Sequence, residues 1–289
     1  MKVAIFGSKR QKPERIERIF DMLSTHNAEI FLQRPFYNYL NSEFEFKHQI
    51  NGIIEDDNFS ADLAISVGGD GTFLRTAASI GKKDIPVFGI NTGHLGFLAD
   101  VTDDNIEEAL TDILSGKYRI EDRTQLQLST QSEKFERFDY ALNEVAILKQ
   151  DTASMITVHA SINGEYLTSY RADGLIIATP TGSTAYSLSV GGPIMTPSAS
   201  SFIIAPVASH SLNARPLVVD DTSVISLEIE SRNENFLVSL DGRSEIFSTT
   251  TKLTIKKAEF TLKVVKRLEH TFYETLRDKL KWGTDPRLG

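Results

Sequence analysis

The chain has 289 residues, of which 40% are hydrophobic and 24% charged, and its formal net charge is −8. This composition is that of a globular protein long enough for two domains, and the acidic excess argues against nucleic acid or an anionic membrane as a partner. The absence of cysteine excludes disulfides and thiolate metal sites and fits a reducing compartment.

The first hundred residues predict strands that alternate with helices. Apolar residues at helical spacing predict a helix over Pro13–His26, and a second helix, Thr72–Ile80, follows a group of glycines directly. The predicted strands are Val3–Phe6, Ala28–Leu32, Leu63–Val67 and Ile85–Ile90. This alternation predicts a parallel, doubly wound sheet. Asn38–Asp57 fits neither pattern, and we interpret it as a mobile connection.

The pattern changes after about Asp103. A helix is predicted over Asp103–Ser115, and the Asn163-Gly164 pair between two alternating runs predicts a hairpin. Further alternating runs are Leu126–Leu128, Ile225–Ile229, Phe236–Leu240, Leu253–Ile255 and Phe260–Val264. They predict a β-rich domain with sheets packed as a sandwich. We therefore predict an α/β domain over residues 1–102 and a β-rich domain over residues 103–267. The tail, residues 268–289, has a helical segment at Thr275–Trp282 and is expected to return to the first domain.

Apolar runs in the sequence are short. The run Val3–Phe6 before Gly7 is too short for the core of a signal peptide. The runs Leu175–Ala178 and Phe202–Ala205 are far too short to cross a bilayer. We therefore expect a cytoplasmic protein that is not inserted into a membrane.

Lys279 and Lys281 lie beside an aspartate near the end of the chain, and we interpret them as part of a solvated helix face.

The segment Gly68-Gly69-Asp70-Gly71-Thr72 lies between a predicted buried strand and a predicted helix. Glycines let backbone amides approach a ligand closely, and the start of a helix favours phosphate. A carboxylate in such a place repels phosphate unless it handles Mg²⁺ or accepts a proton, so we interpret Asp70 as functional. The alternative is an Asp-Gly turn, although such turns usually join antiparallel strands. The P-loop and dinucleotide-binding glycine patterns are absent from the sequence.

Two further segments carry polar residues in unexpected places. Asn143-Glu144 lies in the otherwise apolar run Tyr140–Leu148, where a buried glutamate is costly without a partner such as a ligand hydroxyl. The alternative is an edge strand with Glu144 in solvent. Arg171-Ala172-Asp173-Gly174 precedes Thr179–Tyr186, a loop rich in hydroxyl groups that suits sugar and amide recognition or, alternatively, caps the next helix. The six histidines lie far apart without metal-ligand spacing.

Together these segments resemble the NAD kinase family. Gly-Gly-Asp-Gly-Thr alone is shared with diacylglycerol-type lipid kinases and, more loosely, with phosphofructokinases. The more diagnostic segments are Gly89–Leu98, Asn143-Glu144, Thr179–Tyr186, Ser211–Pro216 and Lys279–Gly283. The resemblance extends from about residue 3 to the C-terminus. It implies a Rossmann-like, phosphofructokinase-like α/β domain joined to a β-sandwich-like domain, in homodimers or homotetramers.

The resemblance implies phosphorylation of the 2′-hydroxyl of the adenosine ribose of NAD to give NADP. ATP would be the phosphoryl donor and a divalent metal ion, Mg²⁺, the cofactor, with Asp70 as general base and no residue assigned as a metal ligand. The positions implied to bind substrate or cofactor are Asp70, Gly71, Arg75, Phe97, Asn143, Glu144, Arg171, Asp173, Thr184, Ala185, Tyr186, Ser187, Leu188, Ser189 and Ala208.

Two departures from the family pattern bear on these assignments. Arg243 follows Asp241-Gly242 where the family often has Gln, and Ser209 alters the segment that contains Ala208. Two rival functions are a lipid kinase and a non-catalytic dinucleotide sensor. The acidic chain offers no basic amphipathic helix as a route to a membrane, and a sensor gains nothing from a carboxylate at Asp70.

Overall fold

The computed structural model describes residues 1–9, 11–44, 46–91, 96–99, 101, 105–131, 135–150 and 154–283. The chain divides into two compact units, which we describe separately. Unit 1 comprises Met1–Asp122 together with the chain from Leu262 onward, and unit 2 comprises Arg123–Thr261. Among the described residues, no helix combines the length and the apolar character needed to span a membrane.

The elements are numbered in chain order. The strands that begin in unit 1 are β1 (Lys2–Gly7), β2 (Glu29–Gln33), β3 (Gly52–Ile54), β4 (Leu63–Val67), β5 (Val87–Ile90) and β6 (Arg119–Thr130). Those that begin in unit 2 are β7 (Tyr140–Ala141), β8 (Glu144–Leu148), β9 (Ile156–Ile162), β10 (Glu165–Ala172), β11 (Gly174–Ala178), β12 (Ser201–Val207), β13 (Leu217–Asp220), β14 (Ile225–Glu230), β15 (Asn235–Leu240), β16 (Arg243–Ser248) and β17 (Leu253–Lys266). The helices are α1 (Pro13–Thr25), α2 (Arg34–Glu43), α3 (Asp70–Ile80), α4 (Ile106–Leu114), α5 (Tyr186–Ser189) and α6 (Phe272–Leu280), and Thr181–Thr184 forms a 3-10 turn.

Unit 1 is built on a parallel sheet in the order β5-β4-β1-β2-β3. The last part of β17 extends this sheet, because Val264 pairs in parallel with Val87 of β5. Helix α1 begins with a proline in its first turn and buries a stripe of apolar side chains, among them Ile16, Ile19 and Phe20, in the core of this unit. The predicted parallel α/β architecture is confirmed.

Some elements of unit 1 differ from the sequence predictions. Asn38–Asp57 contains the end of α2 and all of β3, which lasts only three residues and is too short for a periodic signal. Helix α3 begins at Asp70 rather than Thr72, so Asp70 lies in the first helical turn and not in a loop before it. The predicted helix over Asp103–Ser115 corresponds to α4, Ile106–Leu114, and its predicted start at Asp103 lies outside the described residues.

Unit 2 consists of two antiparallel sheets that share one apolar core. The first sheet has the order β10-β9-β14-β17, and the second has the order β13-β12-β11-β8-β15-β16. Val158 of the first sheet and Ile147 and Ile177 of the second belong to the same buried cluster. The predicted sandwich is therefore confirmed, as is the hairpin at Asn163-Gly164, where both residues have positive φ, 52° and 83°.

The run Tyr140–Leu148 is not one strand. The chain breaks at Leu142-Asn143 and separates β7 from β8, and β8 pairs with β11 on one side and β15 on the other. Glu144 thus begins an interior strand, and the alternative of a solvent-exposed edge strand is wrong. The runs Leu253–Ile255 and Phe260–Val264 are parts of one continuous strand of 14 residues, β17, which begins in unit 2 and ends in unit 1.

Candidate active site

Asp70 is the first residue of α3, directly after the N-cap residue Gly69. Its Oδ2 accepts a hydrogen bond from the backbone N–H of Phe97 at 3.0 Å. Its Oδ1 accepts from the N–H groups of Leu98 and Ala99 at 3.2 and 3.4 Å. The carboxylate therefore connects the start of α3 to the segment that follows β5. An Asp-Gly turn between strands is not what the chain forms here.

The glycines around Asp70 differ in their surroundings. A Cβ atom added at Gly96 would overlap the Asp70 carboxylate, so the contact requires glycine. At Gly69 an added Cβ would meet no atom within 4 Å, and at Gly71 the nearest atom would be Nη1 of Arg75 at 3.8 Å. Gly69 and Gly71 are exposed and border open space at the start of a helix, where unpaired backbone N–H groups favour an anion. Arg75 also lies at this helix start, since its Nη2 donates to the Thr72 hydroxyl at 3.2 Å.

The C-terminal helix contributes a cation to the same place. The Nζ atom of Lys279, in α6, lies 3.5 Å from Oδ2 of Asp70 and 4.6 Å from the ring centroid of Phe97. Lys279 is exposed on α6, as the sequence predicts, and its ammonium also contacts Asp70. Its partner could not be read from the sequence, because the two residues come from opposite ends of unit 1.

Glu144 begins β8 in unit 2 and carries a buried, unpartnered carboxylate oxygen. Its Oε2 is buried and has no hydrogen-bond partner among the described residues, and the same is true of Oδ1 of Asn143. Burial, and secondly the charge of Asp241, raises the pKa of the Glu144 carboxyl from its ordinary value of 4.5 to about 8, although the N–H of Tyr186 lowers it. Buried polar atoms without partners are rare in native proteins, so we expect an ordered water or a ligand hydroxyl to donate to these acceptors.

The segment from Thr179 onward packs directly on Asn143. The Thr179 N–H donates to the carbonyl oxygen of Asn143 at 2.8 Å, and its hydroxyl donates to that of Leu142 at 2.5 Å. A Cβ at Gly182 would overlap the Asn143 carbonyl, so glycine is required here for close approach rather than for flexibility. The hydroxyl of Ser183 donates to the carbonyl oxygen of Pro180 at 2.7 Å. The hydroxyl groups of Thr179 and Ser183 therefore hold the segment together.

The rest of this segment is helical rather than a loop. Thr184 closes the 3-10 turn, Ala185 is the N-cap of α5, and no side chain caps that helix. Tyr186 is 37% exposed, whereas the hydroxyl of Ser187 is buried and lacks a partner among the described residues. The residues from Thr184 to Ser189, Leu188 included, thus form one short stretch whose start contacts Glu144 through the Tyr186 N–H.

Asp241 holds the strand break that precedes Glu144, a role that local sequence patterns do not indicate. Its Oδ2 accepts from the N–H of Leu142 at 2.7 Å, and its Oδ1 accepts from those of Asn143 and Glu144 at 2.8 and 3.1 Å. Asp241 and Gly242 both have positive φ, 50° and 80°, in the turn between β15 and β16. The Asp-Gly turn was visible in the sequence, but its contact with a segment about a hundred residues away was not.

Arg243 follows that turn and supports the same region. Its Nη1 donates to the carbonyl oxygen of Phe138 at 3.1 Å and its Nη2 to that of Tyr140 at 2.5 Å. The guanidinium carbon also lies 5.5 Å from the centroid of the Phe138 ring. Arg243 therefore binds backbone carbonyl groups just before the strand break.

Arg171, Asp173 and Ala208 lie near the first residue of β11, whereas Glu144 pairs with the last residue of that strand. Ala178 pairs with Glu144, whereas Asp173 precedes the first residue of β11, so the two acidic residues are about 16 Å apart along the strand. Asp173 pairs with Lys149 at 2.7 Å, and its N–H donates to the carbonyl oxygen of the residue before Ala208. Arg171 is exposed, and its carbonyl oxygen accepts from the N–H of His210 at 2.9 Å.

Helix α5 leads from one group of predicted residues to the other. Its first residue, Tyr186, contacts Glu144, and its last residue, Ser189, lines a cavity of about 660 Å³ together with Ala208. Ala208 has a φ of 46°, which is unfavourable for a residue with a side chain. The structure thus places the predicted binding residues of unit 2 in two groups joined by α5. Asp70, Gly71, Arg75 and Phe97 lie together in unit 1.

Two models of known protein families match long segments of the chain. The ATP-NAD kinase N-terminal domain family matches residues 6–118, and the ATP-NAD kinase C-terminal domain family matches residues 142–267. The NAD kinase of Bacteroides fragilis is 50% identical over 290 residues, with 100% of both chains covered. The NAD kinase of Porphyromonas gingivalis is 45% identical, with 99% of both chains covered.

Two solved structures have the same fold. A yeast NADH kinase complexed with NADH has a TM-score of 0.87 at 23% identity, covering 100% of this chain and 90% of the yeast one. An NAD kinase from Archaeoglobus fulgidus in complex with ATP has a TM-score of 0.78 at 28% identity, covering 97% of this chain and 99% of the archaeal one.

Proposed function

Because this chain belongs to the NAD kinase family, we propose that it transfers a phosphoryl group from ATP to the 2′-hydroxyl of the adenosine ribose of NAD, giving NADP. The observation that carries the proposal is the start of α3, where a carboxylate lies beside exposed glycines that border open space. In a site that only binds an anion, a carboxylate would weaken binding by repulsion. A site that transfers a phosphoryl group to a hydroxyl, in contrast, needs a proton acceptor next to the phosphates.

The donor phosphates would bind at the start of α3. The N–H groups around Gly69 and Gly71 and the positive end of the helix dipole favour an anion there. The Arg75 guanidinium adds a charge that can bind phosphate oxygens. The structural relative that was solved with ATP supports this class of donor.

Asp70 would act as the general base. The carboxylate accepts the proton of the ribose 2′-hydroxyl while the 2′-oxygen forms a bond to the γ-phosphorus of ATP. The bond between the γ-phosphorus and the oxygen that bridges it to the β-phosphorus breaks, which releases ADP. Among the described residues, Oδ2 of Asp70 accepts one backbone N–H bond, from Phe97, and a carboxylate oxygen has two lone pairs. An acceptor position therefore remains for the hydroxyl, while the three N–H bonds fix the orientation of the side chain.

The dinucleotide would bind unit 2. Ribose hydroxyl groups would supply the donors that Asn143 and Glu144 lack, and the exposed Tyr186 ring offers a surface for a flat base or nicotinamide. A dinucleotide has two nucleoside ends, which suits two separated groups of residues. The second group comprises Arg171, Asp173, Ser189 and Ala208.

We propose that the divalent ion, Mg²⁺, enters on the phosphates of ATP. Mg²⁺ in nucleotide sites keeps several waters and is bound by phosphates and one or two carboxylates. Among the described residues, the one group of three His, Asp or Glu side chains that could converge on an ion is Glu17, Asp21 and His48, which lie on α1 and after α2 rather than on α3. Asp70, in contrast, is a carboxylate at the start of α3, and when bound the ion would neutralise phosphate charge.

We also propose that the protein is cytoplasmic and self-associates through unit 2. The edge strands β13 and β16 expose apolar side chains, with Val218 46% and Ile246 56% exposed. An exposed edge strand offers unpaired backbone groups with which another chain can pair. A homodimer or homotetramer would cover them, and we expect neither nucleic acid nor membrane as a partner.

Incubation with NAD, ATP and Mg²⁺, followed by an NADP-specific dehydrogenase, tests the proposed reaction. NADP should accumulate, and ³¹P NMR of the product should place the new phosphate on the 2′-oxygen. NADH in a parallel reaction measures the preference for the oxidised dinucleotide. Binding of NAD and ATP without any phosphorylated product would instead support the non-catalytic sensor and overturn the proposal.

A further inference from the structure

We propose that Lys279 of the C-terminal helix is a phosphate-binding residue of this reaction. Its ammonium group would contact the donor phosphate and screen the phosphate from Asp70. This inference rests on the proposed function, because it assumes that ATP binds at the start of α3. It adds a residue from the last helix of the chain to a site that the sequence places entirely in earlier segments.

The position of Lys279 is the first support. Its Nζ lies 3.5 Å from Oδ2 of Asp70, which is longer than a strong charge-assisted hydrogen bond. An ammonium group has three N–H donors, so its capacity is not used up by this contact. The side chains of Lys279 and Asp70 are 32% and 30% exposed, so both are accessible to a ligand from solvent.

The weakness of the pair as a stabilising contact is the second support. Ion pairs between partly exposed side chains contribute little to folding stability. A carboxylate beside phosphates, in contrast, opposes ligand binding strongly, and a cation at this distance offsets much of that repulsion. The charge of Lys279 therefore has more effect on a bound phosphate than on the free protein.

The way in which the side chain is held is the third support. Phe97 orients both charges, because its N–H donates to Asp70 and its ring lies 4.6 Å from the Lys279 ammonium. Helix α6 is fixed in turn by a capping box between Thr271 and Glu274, and the Phe272 and Phe97 ring centroids are 6.4 Å apart. The cation is thus placed beside the base before any ligand binds, which reduces the entropy lost on binding.

Lys279→Met removes the charge and keeps a long apolar side chain. Arg277→Met is the matched control, since it removes one positive charge from an exposed position in the same turn of α6. Isothermal titration with Mg·ATP and with inorganic tripolyphosphate measures phosphate binding without chemistry. We expect Lys279→Met to raise the Kd for both ligands about ten- to a hundredfold, Arg277→Met to change it less than about threefold, and Lys279→Arg to restore most of the affinity.

A second pair of measurements separates charge screening from simple structural support. In the Asp70→Asn background the loss caused by Lys279→Met should be smaller, because the carboxylate that needs screening is gone. The Kd for NAD should stay within about threefold in all Lys279 variants. A lysine that only holds α6 in place would lower the melting temperature and leave the Kd for tripolyphosphate unchanged.

The outcomes distinguish this inference from the proposed function. If the wild-type protein makes NADP from NAD and ATP, but Lys279→Met binds ATP and tripolyphosphate like Arg277→Met, then Lys279 has no phosphate role and only the inference is wrong. If the wild-type protein makes no NADP, while Lys279→Met still weakens tripolyphosphate binding, the phosphate role is supported and the proposed reaction is wrong.

Discussion

Replacing Glu144 by glutamine should stabilise the protein at high pH relative to wild type and do so much less at low pH. The pKa of the Glu144 carboxyl is raised in the fold from 4.5 to about 8, first by burial and then by the charge of Asp241. The unfolded chain therefore ionises at a lower pH than the folded one. The stability that the neutral carboxyl contributes is fully present below about pH 4.5 and is lost progressively as pH rises through about 8.

The size of the effect follows from the two pKa values. They differ by about 3.5 pH units, each worth about 1.4 kcal/mol, which gives an upper limit of about 5 kcal/mol between acidic and alkaline conditions. Glutamine has the same shape and stays neutral, so Glu144→Gln lacks this loss. The difference in unfolding free energy between the variant and wild type should therefore grow with pH and level off above about pH 8.

Thermal and urea unfolding, followed by circular dichroism at about pH 5, 7 and 9, measures this difference. Glu165→Gln is the control, because it replaces an exposed glutamate of the same unit. Its effect should be small and equal at the three pH values. If Glu144→Gln also shifts the stability by the same amount at every pH, the carboxyl is not kept neutral by the fold, and the reasoning that links its burial to a missing ligand is refuted.

Three further predictions follow from the site. Asp70→Asn should lower the rate of single-turnover phosphorylation about 10²–10⁴-fold. It should also lower the melting temperature, because an amide offers fewer acceptors to the N–H groups of Phe97, Leu98 and Ala99. Near-normal turnover would show that Asp70 is not the base. Glu144→Ala should weaken NAD binding about ten- to a hundredfold in isothermal titration, with ATP binding as the internal control; normal NAD affinity with a lowered melting temperature would make Glu144 a structural residue. Light scattering at micromolar concentration should show a dimer or tetramer, and a particle of 32.2 kDa would contradict self-association.

The long periodic segments of the fold could be predicted from the sequence alone. Helix α1 and the strand pairs around Asn163-Gly164 follow from local spacing and turn chemistry. Short elements such as β3 were missed, because three residues carry no period. The break at Leu142-Asn143 was missed for another reason: it depends on hydrogen bonds to Asp241, which local patterns do not encode.

The candidate site was predictable where its chemistry is local. The glycines around Asp70 and the polar pair Asn143-Glu144 stand out in their apolar surroundings. Composition alone does not predict what the hydroxyl groups of Thr179 and Ser183 bind. They donate to the backbone carbonyl groups of Leu142 and Pro180. Lys279 shows the limit of sequence distance, because nothing in the residues around it indicates Asp70 as its partner.

Unit 1 is formed by two segments of the chain that are separated by the whole of unit 2, and this has a consequence for protein synthesis. The last part of β17 and the whole of α6 belong to this unit, although all of unit 2 is translated before them. A nascent chain that has released unit 2 from the ribosome thus still lacks the strand that pairs with β5 and the lysine beside Asp70. Domains generally fold in the order in which they emerge. Here unit 1 is complete only after α6 has left the exit tunnel, so an interrupted translation product would carry unit 2 without a finished unit 1.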